Sequence, residues 1–164
     1  MSRAELLCDI AITPLDGEAQ ERDCAALMAA SDPWLKLGQD FEALLRTLRL
    51  PGRERYVAHA NGRLAGFLLL NLHGTFAGYI QTVGVAPEFR GRGYGTRLIA
   101  FAEQRILRDH QNVFLCVSSF NRTARRLYSS LGYHEVGELT GFLVAGHSEF
   151  LLRKTIGPLN ERKR

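Results

Sequence analysis

Between Glu88 and Leu98 the chain reads EFRGRGYGTRL, with Gly91, Gly93 and Gly95 on alternate positions among arginines. The apolar run GYIQTVGVA precedes it and closes at Pro87, and from Tyr94 onward Leu98, Ile99, Ala102 and Ile106 fall on one helical face. A strand that turns through glycines into a helix start leaves the first backbone N–H groups of that helix unpaired, and the helix dipole adds partial positive charge there. Glycines let an anion approach the backbone and let the chain take dihedrals closed to other residues. Arg90 and Arg92 supply counter-charge. The segment therefore predicts an anion-binding turn and commits its surroundings to a strand on one side and a helix on the other.

The rest of the chain arranges itself around that turn. CDIAITPL alternates as a strand; DGEAQERDCAALMAA reads as a helix capped by Asp16; after the link DPWLKLG, QDFEALLRTLRL places Phe41, Leu44, Leu45 and Leu48 on one helical stripe. RYVAHA and RLAGFLLLNL flank Asn61-Gly62, the strongest short hairpin signal. Beyond the glycine run and its helix, VFLCVSS predicts a buried strand, NRTARRLYSSLGY a helix opened by Asn121 and stopped at Gly132, and YHEVGEL and SEFLLRK two final strands. The expected fold is mixed α/β, a central and mostly antiparallel sheet of about seven strands with helices on both faces. At 164 residues this is one domain, assigned to residues 1–157, with a basic tail over 158–164.

Composition limits the function classes. With 46% hydrophobic and 23% charged residues, the chain falls outside the disordered and membrane classes. Neither the N-terminus nor the longest apolar patch, AGFLLLNL, has the length of a signal core or a span, so a cytoplasmic protein without a membrane partner is expected. Cys8, Cys24 and Cys116 form no CxxC and suggest neither a disulfide framework nor a metal site. The net charge of +4 favours an anionic partner without selecting one.

Several phosphate ligands are excluded by pattern. No GxxxxGK occurs, so a Walker loop is absent, and the dinucleotide fingerprint needs GxGxxG early in a βαβ unit, where this chain has GxGxG after a hairpin. RNA binding of the arginine-glycine type uses longer disordered repeats. On residues alone, a glycine-rich loop without a ligand stays open beside a phosphate site.

VGVAPEFRGRGYGTRL resembles the acetyl-CoA signature of the GNAT superfamily of N-acetyltransferases, and NRTARRLYSSLGYHEVG resembles that family's second block, with Asn121, Ala124, Tyr128, Leu131, Gly132 and Tyr133 in place. The likeness runs in element order from about Arg55 to Lys154. It implies acetyl-CoA as cofactor and an amine, on a small molecule or a protein, as substrate; no nucleic-acid partner is implied, and a homodimer is left open. By the resemblance Val83 and Val85 present backbone to the carrier's pantetheine arm at a bulge placed at Gly84, and Arg90, Gly91, Arg92, Gly93, Tyr94, Gly95 and Thr96 wrap its pyrophosphate. Asn121 matches an asparagine that contacts the pantetheine region, and serves equally as a helix cap. Tyr128 matches the tyrosine that protonates the departing thiolate.

One branch, the ribosomal-protein alanine acetyltransferases, carries a glutamate base twelve residues before that tyrosine, and this chain has Cys116 there. Cys116 reads as a small strand residue because nothing pairs it with a histidine. Neutralising a lysine-like amine near pH 7.4 costs roughly 4 kcal/mol, against about 0.5 kcal/mol for an α-amine, so low-pKa amines are the easier substrates. Gln81, through a water, or His59 or His73 is a candidate for the proton. Trp34, with Asp32, Asp40 and Glu42, is a candidate lip for a cationic acceptor, the alternative being that the ring packs and the acids cap helices. The expected reaction is direct acetyl transfer in a ternary complex; the rival is a non-catalytic acyl-CoA-binding module.

Overall fold

The computed structural model describes residues 10–159. Cys8, the start of the first expected strand and the last five residues of the basic tail lie outside them. The elements are β1 (Ile10–Pro14), α1 (Gly17–Ala29), α2 (Phe41–Leu48), β2 (Arg53–Ala60), β3 (Arg63–Asn71), β4 (Tyr79–Val85), α3 (Tyr94–Ile106), β5 (Asn112–Ser118), α4 (Arg122–Ser130), β6 (His134–Thr140) and β7 (Ser148–Thr155), with a 3-10 turn at Pro87–Phe89 between β4 and α3. The strands form one seven-stranded sheet in the order β1-β2-β3-β4-β5-β7-β6. Every neighbour pair is antiparallel except β4 and β5.

The two larger cores lie on opposite faces, and a third, smaller one gathers Ala60, Ala65, Ala86, Phe89 and Tyr94. On one, Cys24, Ala25 and Met28 of α1 and Leu44, Leu45 and Leu48 of α2 close over Val57 and Phe67. On the other, Leu98, Ile99, Ala102 and Ile106 of α3 and Tyr128 of α4 pack against Leu68, Leu70, Ile80, Val113, Leu115 and Leu152. Strand alternation produces the division, since successive residues point to opposite faces. Charge pairs pin the layers: Glu21 of α1 takes Arg49 at 2.7 Å and Arg55 of β2 at 2.5 Å, Arg105 of α3 takes Glu54 of β2 at 2.5 Å, and Lys154 of β7 takes Glu103 of α3 at 2.8 Å.

Two local expectations change. Asp16 occupies the N-cap position of α1 but its carboxylate caps nothing; the side chain of Gln20 reaches back to the Asp16 backbone N–H at 2.8 Å. The bulge in β4 is at Gln81 and not at Gly84. Leu69 pairs with Thr82 and Leu70 with Ile80, leaving Gln81 as the extra residue, whereas Gly84 stays in register opposite Phe67. Glycine serves another purpose there: a Cβ on Gly84 would strike the Phe67 ring and come within 3.2 Å of the Trp34 ring.

Phe67, fully buried between α1, α2 and β4, is the largest wholly buried side chain. Phe67→Ala should lower unfolding stability by about 3–5 kcal/mol in a urea titration. A loss below about 1 kcal/mol would show that the α1–α2 layer does not depend on this ring.

Candidate active site

β4 and β5 are paired only at Tyr79↔Phe114 and Ile80↔Leu115. The next residue is the bulged Gln81, and a bulge bends its strand and increases local twist. Beyond that point the two parallel strands diverge into a wedge. The Ala86 N–H donates to Ala65 of β3 at 2.9 Å, so by alternation the N–H and C=O of Val83 and Val85 turn away from β3, toward the wedge. These are the two residues whose backbone was expected to be on offer.

At the end of the wedge the chain enters the glycine turn. Gly93 is the N-cap of α3, with φ of 82° in the left-handed region, and no side chain caps the helix. A Cβ at Gly91 or Gly93 would meet nothing within 4 Å, so the turn is open around both glycines, and the first N–H groups of α3 have no intrahelical partner. Gly91, Arg92, Gly93 and Thr96 are exposed. Arg90 folds back, its Nε donating to the Val85 carbonyl at 3.0 Å and tying the loop to the strand end. The Tyr94 side chain is buried edge-on against Phe89, with ring centroids 5.3 Å apart, so the ring itself is turned into the core.

On the α3–α4 face, Asn121 caps α4, its Oδ1 accepting the Ala124 N–H at 3.2 Å. Tyr128 is buried, edge-on to Tyr133 at 5.8 Å. Burial alone pushes its phenol up to about 12, so it is a protonated donor at neutral pH.

On the opposite face the link between α1 and α2 roofs the wedge. The partly exposed Trp34 ring lies over Gly84 of β4 and against Phe67 at 6.0 Å, and Lys36 reaches the Phe120 ring just past β5 at 5.3 Å. Phe120 in turn stacks edge-on with His147 at 5.0 Å. The lip is thus aromatic, and its acids have local partners: Asp40 caps α2 through the Ala43 N–H at 2.8 Å and Asp32 pairs with Lys36 at 3.1 Å. Gln81 Oε1 accepts from Arg53 Nε at 2.6 Å. His59 lies on β2 opposite Ala11, and His73 lies in the β3–β4 connection, at the far end of β4; neither reaches the wedge.

Sequence reasoning passed over three residues on this face. The Tyr79 side chain of β4 lies beside Cys116 of β5, and Ser118 Oγ donates to Glu149 Oε1 of β7 at 2.5 Å. Glu149 is 4% exposed, and burial raises its carboxyl above the ordinary range. Burial likewise holds the Cys116 thiol above its usual value. Only the alternation of SEFLLRK hinted at Glu149, since its place opposite Ser118 depends on the β5–β7 pairing.

A sheet opened between two parallel strands, with an uncapped glycine-led helix at its mouth, defines a site for an extended ligand with a phosphate end. The acetyltransferase (GNAT) family model matches residues 20–133. The chain belongs to this family and is an acyltransferase, an N-acetyltransferase. Among similar proteins, the N-alpha-acetyltransferase RimI of Mycobacterium tuberculosis is 30% identical over 154 residues, covering 90% of this chain and 91% of that protein. The mycothiol acetyltransferase of Thermomonospora curvata is 39% identical over 80 residues, covering 48% of this chain and 27% of that protein. An aminoglycoside 6'-N-acetyltransferase solved with coenzyme A shares the fold at a TM-score of 0.72 and 18% identity, covering 92% of this chain and 99% of that one.

The tight seat of Gly84 gives a direct check. Gly84→Ala should destabilise the protein by about 1–3 kcal/mol through overpacking against Phe67 and Trp34, read as a lower urea midpoint with an unchanged m-value. An unchanged midpoint would mean that Trp34 does not sit on β4.

Proposed function

We propose that the protein moves an acetyl group from acetyl-CoA to a primary amine by direct attack within the wedge. The observation that carries this reading is the coincidence, at one end of the sheet, of Val83 and Val85 backbone left without a strand partner on the β5 side and the uncapped start of α3. Val83 offers its N–H and C=O, and Val85 its N–H, to the amides of the pantetheine arm, the Val85 carbonyl being held by Arg90. Arg90, Arg92 and the backbone from Gly91 to Thr96 hold the diphosphate, as helix starts hold anions generally. Asn121, already the cap of α4, borders the arm at the end of β5.

Tyr128 then donates its proton to the sulfur as the C–S bond breaks. A buried phenol is suited to this because it arrives protonated and takes up a proton again from solvent after turnover. A route through acetylated Cys116 is disfavoured: its thiol is held protonated by burial, and its partner is a tyrosine, not a histidine. Trp34, Phe120 and His147 form the acceptor's side of the mouth, with Gln81 at its base. The relative from M. tuberculosis is named for an α-amine, and an α-amine is also the acceptor class most readily neutralised. The relatives' names as acetyltransferases weigh against a non-catalytic acyl-CoA-binding module.

Thiol release from acetyl-CoA with a free-N-terminal peptide, lysine, spermidine and an aminoglycoside tests the reading. Turnover is expected with at least one, fastest with the α-amine. Tyr128→Phe should lower kcat by about 10²-fold and leave coenzyme A affinity within about twofold. Saturable coenzyme A binding without turnover on any amine would overturn the catalytic reading in favour of a binding module.

A further inference from the structure

Glu149 has no role in the scheme above, and its setting is unusual. It is 4% exposed, and among the described residues no lysine, arginine or histidine pairs with it. A buried carboxylate without a cation lowers stability, and a neutral glutamine would accept the same Ser118 hydrogen bond without that penalty. Its surroundings are all on the α1–α2 face of the sheet: Ser118 and Cys116 of β5, Tyr79 of β4, and Leu139 opposite it on β6. Ser118 is the last residue of β5 and lies past Leu115, where β5 loses its β4 partner, so it belongs to the stretch of β5 that flanks the wedge; it is itself buried, with Glu149 paired opposite it on β7.

Resting on the acetyl-transfer reading, we propose that Glu149 is the proton acceptor for the attacking amine, reached through the Ser118 hydroxyl. As the amine nitrogen bonds to the acetyl carbon, its N–H proton passes to Ser118 Oγ while the Ser118 hydroxyl proton passes to Glu149 Oε1. The C–S bond then breaks, and the sulfur takes the Tyr128 proton. Glu149 returns its proton to solvent and Tyr128 regains one, so the cycle consumes one thioester and one amine and yields one amide and one thiol, with no change in the protein. Donor and acceptor thus stand on opposite faces of the sheet, Tyr128 on one and Glu149 on the other.

The sign of the pH effect follows. Burial raises the folded-state pKa of Glu149 above its unfolded value, so its contribution to stability is fully present below the unfolded carboxylate pKa and is lost as pH rises through the folded value. Only the ionised form accepts a proton, so activity rises across that same upper boundary. Because the Ser118 hydrogen bond lowers the Glu149 pKa, its removal moves the boundary to higher pH.

The test measures thiol release across pH 5–9 with the best acceptor, alongside thermal melts and coenzyme A titrations of each variant. Glu149→Gln should lower kcat by about 10²-fold, abolish the carboxylate limb of the profile, keep coenzyme A affinity, and melt higher than the wild type at pH 8. Ser118→Ala should lower kcat, and the double variant should be no slower than Glu149→Gln alone, as expected for residues in one relay. A Glu149→Gln enzyme that folds, binds coenzyme A and keeps the wild-type profile with kcat within about twofold overturns the proposal while leaving acetyl transfer intact. Absence of wild-type turnover on every amine overturns both.

Discussion

The constraint on which the rest of this molecule depends is the early end of the β4–β5 ladder. Two parallel strands inside a continuous sheet would ordinarily pair along their whole length, because unpaired main-chain groups in a protein interior are costly. Here pairing stops at Ile80 and Leu115, next to the bulged Gln81. Gln81 is itself fixed by Arg53, and further along Gly84 is seated under Phe67 and Trp34. The α1–α2 layer therefore does more than bury one face: its aromatic link presses on the strand that must diverge. Val83 and Val85 backbone without a strand partner on that side is the consequence, and a ligand rich in amides is what we propose they meet.

Function follows from what borders that opening on each side. The glycine turn places a positively polarised helix start at the mouth, the place proposed for the diphosphate of the carrier. On the α3–α4 face a buried phenol keeps its proton; on the α1–α2 face a buried carboxylate stands behind a serine hydroxyl. Low exposure gives these groups complementary tendencies, because burial favours the neutral form of both. The phenol is thereby held as an acid at neutral pH, and the carboxylate is made a stronger base than an exposed one.

Much of this was legible in the residues because the signals were local. Asn61-Gly62 announced the hairpin, the Leu98–Ile106 stripe announced α3, Asn121 capped α4, and the two glycine and tyrosine blocks carried the family likeness. What escaped was set by pairing between distant segments. A glycine in a strand suggested a bulge at Gly84, but the bulge is decided by register against β3, which placed it at Gln81 and left Gly84 as a site of close approach. Asp40 could be read as part of an acidic lip or as a helix cap, and only the structure shows its carboxylate accepting the Ala43 N–H at the start of α2. Glu149 was invisible for the same reason: its significance lies in facing Ser118 across the β5–β7 ladder, 31 positions apart in sequence.

The most direct measurement is amide hydrogen exchange, residue by residue, with and without coenzyme A. The backbone N–H groups of Val83, Val85 and the opening turn of α3 should exchange readily in the free protein and become strongly protected on binding, while the amides of Ala86 and the β5–β7 ladder change little. Protection of Val83 and Val85 already complete without ligand, or a coenzyme A footprint away from β4 and the start of α3, would contradict the open wedge as the seat of acetyl transfer.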